Sequence, residues 1–104
     1  MDINVQIRNS SARISLSGRF DFDLHRDFSN VYSPLLANAA VKEIEIELSK
    51  VDYLDSAALG MLMLLNERAK DAGKSILLLN ISDVVSKIFA VANFHRMFKI
   101  KNAP

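Results

Sequence analysis

The sequence predicts one α/β domain: a mixed β-sheet, mostly parallel, that opens with an antiparallel hairpin and carries about three to four flanking helices. Three observations lead there. Two short alternating segments stand near the N-terminus, separated by a polar turn. Each of two later strand-like segments is followed by helical apolar spacing, which implies right-handed crossovers and parallel neighbours. The chain has 104 residues, 50% hydrophobic and 24% charged, which suits one core and one domain spanning 1–104.

The elements follow in order. Ile3, Val5 and Ile7 alternate with polar residues, and Ala12, Ile14 and Leu16 do so again after Asn9-Ser10-Ser11, the pattern of a hairpin. Gly18 breaks the alternation, and Arg19 to Asp23 reads as a loop with acidic residues ahead of a helix. From Leu24, apolar residues at Phe28, Val31, Tyr32, Leu35 and Leu36 fit a helix that bends or ends near Pro34. Ile44, Ile46 and Leu48 alternate with Glu43, Glu45 and Glu47, a strand with one dry face and one wet face. The next helix begins near Asp55-Ser56 and runs to about Ala72, with Gly73 as its stop and Leu59, Leu62, Met63, Leu65 and Ala69 on its apolar face. Ile76 to Leu79 reads as a strand buried on both faces. Ser82-Asp83 starts a third helix with Val84, Val85, Ile88, Phe89 and Ala92 inward, and Met97 to Ile100 forms a short last strand.

Composition narrows the function. Lys and Arg number 13 against 12 Asp and Glu, a net charge of +1, so no basic excess points to direct nucleic-acid or membrane-surface binding. With no cysteine there is no disulfide, thiolate zinc site or Cys nucleophile. The N-terminus has no basic and apolar signal pattern, and the longest apolar run, Met61 to Leu65, is far below the roughly 20 residues of a membrane span. A cytoplasmic protein is expected. No phosphate-binding, metalloprotease or serine-hydrolase motif occurs, His25 and His95 stand far apart, and glycine occurs only at 18, 60 and 73. Neither a catalytic group nor a cofactor or metal is expected. Glu43, Glu45 and Glu47 read as a solvated strand face, and Asp21 and Asp23 as complements to a helix dipole.

One stretch carries more information: Val51-Asp52-Tyr53-Leu54-Asp55-Ser56-Ala57-Ala58-Leu59-Gly60. It joins a strand to the central helix and sets a serine at that helix's start. Asp55 or Ser56 suits the N-cap, accepting hydrogen bonds from otherwise unpaired backbone N–H groups. The small residues Ala57, Ala58 and Gly60 let the first turn press closely on the sheet or on a partner, and leave room for a kinase to reach the hydroxyl.

Here the sequence resembles the STAS domain, in particular the single-domain anti-sigma-factor antagonists of bacteria. Their helix start reads Asp-Ser-Ser/Thr-Gly-Leu-Gly, matched by Asp55-Ser56-Ala57-Ala58-Leu59-Gly60, with Leu54 and Met61-Leu62 as apolar context. Their Gly-Glu-Leu-Asp-like segment is matched by Gly18-Arg19-Phe20-Asp21, and the order of elements agrees from about residue 3 to 100. The resemblance implies that Ser56 is the phosphorylated residue and that Asp21, Asp55, Ser56, Ala57, Ala58 and Gly60 lie on the partner-binding surface. It implies an anti-sigma factor that is a GHKL-type serine kinase as partner, and a PP2C-type phosphatase to reverse the modification. Ala57 and Ala58 depart from the pattern and leave Ser56 as the one phosphorylatable side chain in the motif. An alternative within the same fold is a non-switching subunit of a lipid-transport type complex. Nothing in the sequence asks for a stable homo-oligomer, and the free chain is expected to be monomeric.

Overall fold

In the computed structural model, which describes residues 2–102, β1 (Asp2–Arg8) pairs antiparallel with β2 (Ser11–Phe20) across a turn at Asn9 and Ser10. Asn9 takes φ 55°, a left-handed conformation that asparagine tolerates better than most residues. The turn then guides the next strand, because the Ser10 carbonyl accepts hydrogen bonds from Lys42 N–H at 2.7 Å and Glu43 N–H at 3.3 Å. After β2 come a 3₁₀ turn (Phe22–Leu24), α1 (His25–Ala37), β3 (Glu43–Leu54), α2 (Ser56–Asp71), β4 (Ser75–Leu79), α3 (Asp83–Val91), α4 (Phe94–Met97) and β5 (Lys99–Lys101). The sheet order is β1-β2-β3-β4-β5, antiparallel only between β1 and β2.

A single apolar cluster joins one face of the sheet to the helices. Ala12, Ile14 and Leu16 of β2, Ile44, Ile46 and Leu48 of β3, and Ile76 and Leu78 of β4 pack with Phe28, Tyr32 and Leu35 of α1 and with Val85 and Phe89 of α3. α2 adds Ala58, Leu62, Leu65 and Ala69, spaced four, three and four residues apart, one stripe of a 3.6-residue helix. Edge-to-face rings, Phe20 on Phe28 and Phe28 on Tyr32 at 5.2 Å each, fill the space beneath the 3₁₀ turn.

Several expectations are corrected. Gly18 does not end β2: at φ 92° it lies at an irregularity, and the ladder with β3 resumes through Arg19–Tyr53 and Phe20–Leu54. β3 likewise runs past Leu48 to Leu54, because two register shifts against β2 change its burial from every second to every third residue. Pro34 lies inside α1, which continues to Ala37 before ending; the helix still stops within a turn of the missing N–H. Residues Phe94–Met97 form a helical turn set off by Asn93 at φ 60°, so the last strand is Lys99–Lys101. Met63 and Val84, expected inward, are 44% and 53% exposed.

The three glutamates of β3 do lie on the opposite face, but they are tied to neighbouring strands. Glu45 accepts from Arg13 Nε at 3.1 Å, Glu43 from the Ser75 hydroxyl at 3.4 Å, and Glu47 from Asn80 Nδ2 and Ser49 N–H at 2.7 Å each. Burial by itself would raise the Glu47 pKa, but hydrogen bonds from Ser49 and Asn80 and the charge of Arg13 outweigh it and hold the carboxyl below 4.5. Its contribution to stability is therefore complete above the unfolded-state pKa and lost as pH falls through the lower folded-state value. Glu47→Gln is expected to flatten the loss of stability below pH 4.5, as read from urea unfolding over a pH series; an unchanged acid slope refutes that assignment.

Candidate functional site

β2 and β3 run parallel and finish side by side at Phe20 and Leu54, so the segments that follow them meet. Asp55 fastens the junction. Its Oδ1 accepts from Ala58 N–H at 2.8 Å, capping α2, and its Oδ2 accepts from Phe22 N–H at 3.2 Å, holding the 3₁₀ turn. Its own N–H donates to the Phe20 carbonyl at 3.3 Å. One carboxylate thus satisfies donors from two elements, with the negative charge at the positive end of the α2 dipole.

The cap is therefore Asp55, and Ser56 is the first residue of the helix proper. Its side chain is exposed, and its hydroxyl makes no hydrogen bond among the described residues. Ala57 is half-buried. Ala58 is 0% exposed and belongs to the core, which corrects its expected place on the partner surface: its small size serves the approach of α2 to the sheet. Gly60 faces outward, with open space for at least 4 Å around where a side chain would begin. Small residues are thus used on both sides of the first turn, inward at 58 and outward at 60.

Asp21 is half-buried, caps the 3₁₀ turn through Asp23 N–H at 3.1 Å and lies 3.6 Å from the Arg19 guanidinium. Arg19 in turn lies 4.2 Å over the Tyr53 ring. Phe22, 60% exposed, stacks on His25 at 4.5 Å, while His25 Nδ1 lies 2.9 Å from the Phe22 carbonyl. The structure brings Asp21, Asp55, Ser56, Ala57 and Gly60 to one end of the sheet, beside residues that sequence reasoning missed: Arg19, Phe22 and Tyr53; Met63 is exposed further along α2. Met63 was read as inward because the apolar face of α2 is broad in sequence; the buried stripe is the narrower Ala58-Leu62-Leu65-Ala69. Phe22 and Tyr53 carried no sequence signal, because their exposure follows from the bulged strands beside them.

This arrangement assigns different costs to neighbouring substitutions. Asp55→Ala removes the cap and the Phe22 hydrogen bond, at an expected cost of about 1–2 kcal/mol, whereas Asp55→Asn keeps the cap through its one amide oxygen, loses the Phe22 bond and falls between Asp55→Ala and wild type. Ser56→Ala is expected to stay within about 0.5 kcal/mol of wild type. Thermal and chemical unfolding of the three variants measures this, and a Ser56→Ala loss as large as that of Asp55→Ala contradicts the division.

Comparison with known proteins agrees with this architecture. The family model described as "Mlab, STAS domain" matches residues 3–100. A STAS-domain containing protein of Pseudomonas aeruginosa (strain UCBPP-PA14) is 41% identical over 87 residues, 84% of either chain. A putative anti-sigma factor antagonist from Thermotoga maritima shares the fold with a TM-score of 0.87 at 19% identity, covering 97% of this chain and 86% of that one. The anti-sigma factor antagonist SpoIIAA in its unphosphorylated form matches with a TM-score of 0.77 at 17% identity, covering 99% of this chain and 90% of its own. The phosphorylated form of SpoIIAA, from Bacillus, gives 0.78 at 17% identity, covering 99% and 92%. With its five-stranded mixed sheet, its capped central helix and this match across nearly its whole length, the chain belongs to the STAS-domain family.

Proposed function

We propose that the chain is a phosphorylation-controlled partner-switching regulator of the anti-sigma-factor-antagonist type and acts without catalysis of its own. The unmodified form binds an anti-sigma factor that is a GHKL-type serine kinase; phosphorylation of Ser56 ends the complex, and a PP2C-type phosphatase restores it. The observation that carries this reading is the division between Asp55 and Ser56. Because Asp55 supplies the cap, the Ser56 hydroxyl is spared for chemistry. A kinase could modify it without undoing a bond that the fold uses.

A phosphoserine adds about −1.5 to −2 charges, and at the start of a helix the dipole favours that charge. The fold therefore tolerates the modification, as SpoIIAA does, whose two forms match this chain equally well. The penalty falls on the interface, where a hydrated dianion beside Asp55 and Asp21 must lose water or meet acidic neighbours. Phe22 and Tyr53 supply exposed aromatic surface beside it. Gly60 fits the same picture. A glycine inside a helix costs about 1 kcal/mol against alanine, and the open space around it removes any internal packing reason for keeping it.

Intact-mass spectrometry and pull-downs of wild type, Ser56→Ala and Ser56→Asp from the native host test the proposal. A phosphate on Ser56, with a kinase-like partner held by Ser56→Ala and lost by Ser56→Asp, is the expected result. An unmodified Ser56 with one transport ATPase bound equally by all three forms overturns it in favour of the non-switching subunit. Gly60→Arg is expected to raise the melting temperature or leave it unchanged while weakening partner binding at least about tenfold; unaltered binding removes Gly60 from the interface.

A further inference from the structure

The two edges of the sheet are built differently. β5 is three residues long, two of them lysines, and both shortness and lysine keep an edge from pairing with another chain. β1 at the other edge has seven residues, all exposed except half-buried Ile3. Between Asp2 and Arg8 it contains no charge, proline or glycine. Val5 and Ile7 are 38% and 55% exposed and share with Ile3 the face that carries the helices, where no helix covers them. By the rules that protect edges, this one lacks protection.

Its sequence is also complementary to itself reversed. Antiparallel pairing centred on Val5 sets Asp2 against Arg8 of a second copy at both ends, Ile3 against Ile7, Asn4 against Gln6, and Val5 against Val5. A one-residue slip sends the apolar residues of the two strands to opposite faces. A two-residue slip keeps the faces but loses the Asp2–Arg8 matches. Only the Val5-centred register satisfies charge and face together.

We propose that β1 is a self-association edge through which two copies join their five-stranded sheets into one sheet of ten strands. The two-fold axis passes through the Val5 pair, normal to the sheet. The helices of both copies then lie on the same side, and Ile3, Val5 and Ile7 of each copy form one apolar cluster between them. The open backbone groups of β1 supply the hydrogen bonds, and the two Asp2–Arg8 pairs set the register. This edge is distinct from the Ser56 surface, so the inference stands or falls independently of partner switching.

Sedimentation equilibrium on the full chain from about 10 μM to about 1 mM, at low and high salt, tests it. Wild type is expected to dimerise within that range, more weakly at high salt. Asp2→Arg or Arg8→Asp alone is expected to raise the dimer Kd about three- to tenfold. The double variant Asp2→Arg/Arg8→Asp restores it, a rescue that a purely structural effect would not give. Ile7→Lys, on an exposed side chain, abolishes dimerisation with the melting temperature of the monomer retained; if that variant fails to fold, the charge exchange decides. A wild type still monomeric at about 1 mM overturns the proposal. So do a dimer indifferent to Ile7→Lys, a double reversal no better than the single ones, and β1 amides protected from exchange only when a different polypeptide is added.

Discussion

The structure depends on one constraint: the helices and the sheet share a single apolar cluster on one face. β2 and β3 lie inside the sheet, and their alternating residues are almost wholly withdrawn from water. A one-residue error in either strand would turn Ile14 or Ile46 outward and bring Arg13 or Glu45 into the core. Once that phase is set, the rest follows. The helices must return over the same face, the crossovers must be right-handed, and the loops after β2 and β3 must gather at one end. The segments that follow β2 and β3 therefore meet at the carboxyl ends of those strands, and Asp21, Asp55 and Ser56 are found there.

At that end, two adjacent side chains divide the labour. Asp55 spends both oxygens within the protein, one on each of two elements, and Ser56 spends its hydroxyl on neither. Structure and availability are thus separated by one position in sequence. The ring of exposed Phe22 and Tyr53 is steadied by its own local contacts, His25 beneath one and Arg19 over the other. Side chains held in this way have little freedom left to lose on burial.

Much of the fold was legible because the alternation from Ile3 to Leu16 and from Ile44 to Leu48, and the helical spacing after Asp55, each match one period. The mixed sheet, its hairpin and its main helices follow from that. Legibility failed where the period changed within an element. Past Gly18 and past Leu48 the pattern looked like loop, since a register shift removes the period-two signal while the ladder continues. The turn at Phe94 was missed because local propensity was weighed without the packing of Phe94 into the core. At the site, the motif located Asp55, Ser56 and Gly60. It could not distinguish the inward Ala58 from an outward residue, or choose between Asp55 and Ser56 as the cap, because both questions turn on a rotation of the helix that only the sheet fixes.

The bulges of β3 have a consequence for how this strand can change over evolutionary time. Against β2 the strand carries one additional residue between Glu47 and Lys50 and another between Val51 and Tyr53. Each insertion alone inverts the inside–outside phase of everything after it. Together they cancel, and Leu54 returns to the interior just before Asp55. Length in this segment is therefore constrained by parity: single-residue insertions and deletions misdirect the start of α2, whereas compensating pairs leave it in place. Among distant relatives, gaps in this strand should come in twos.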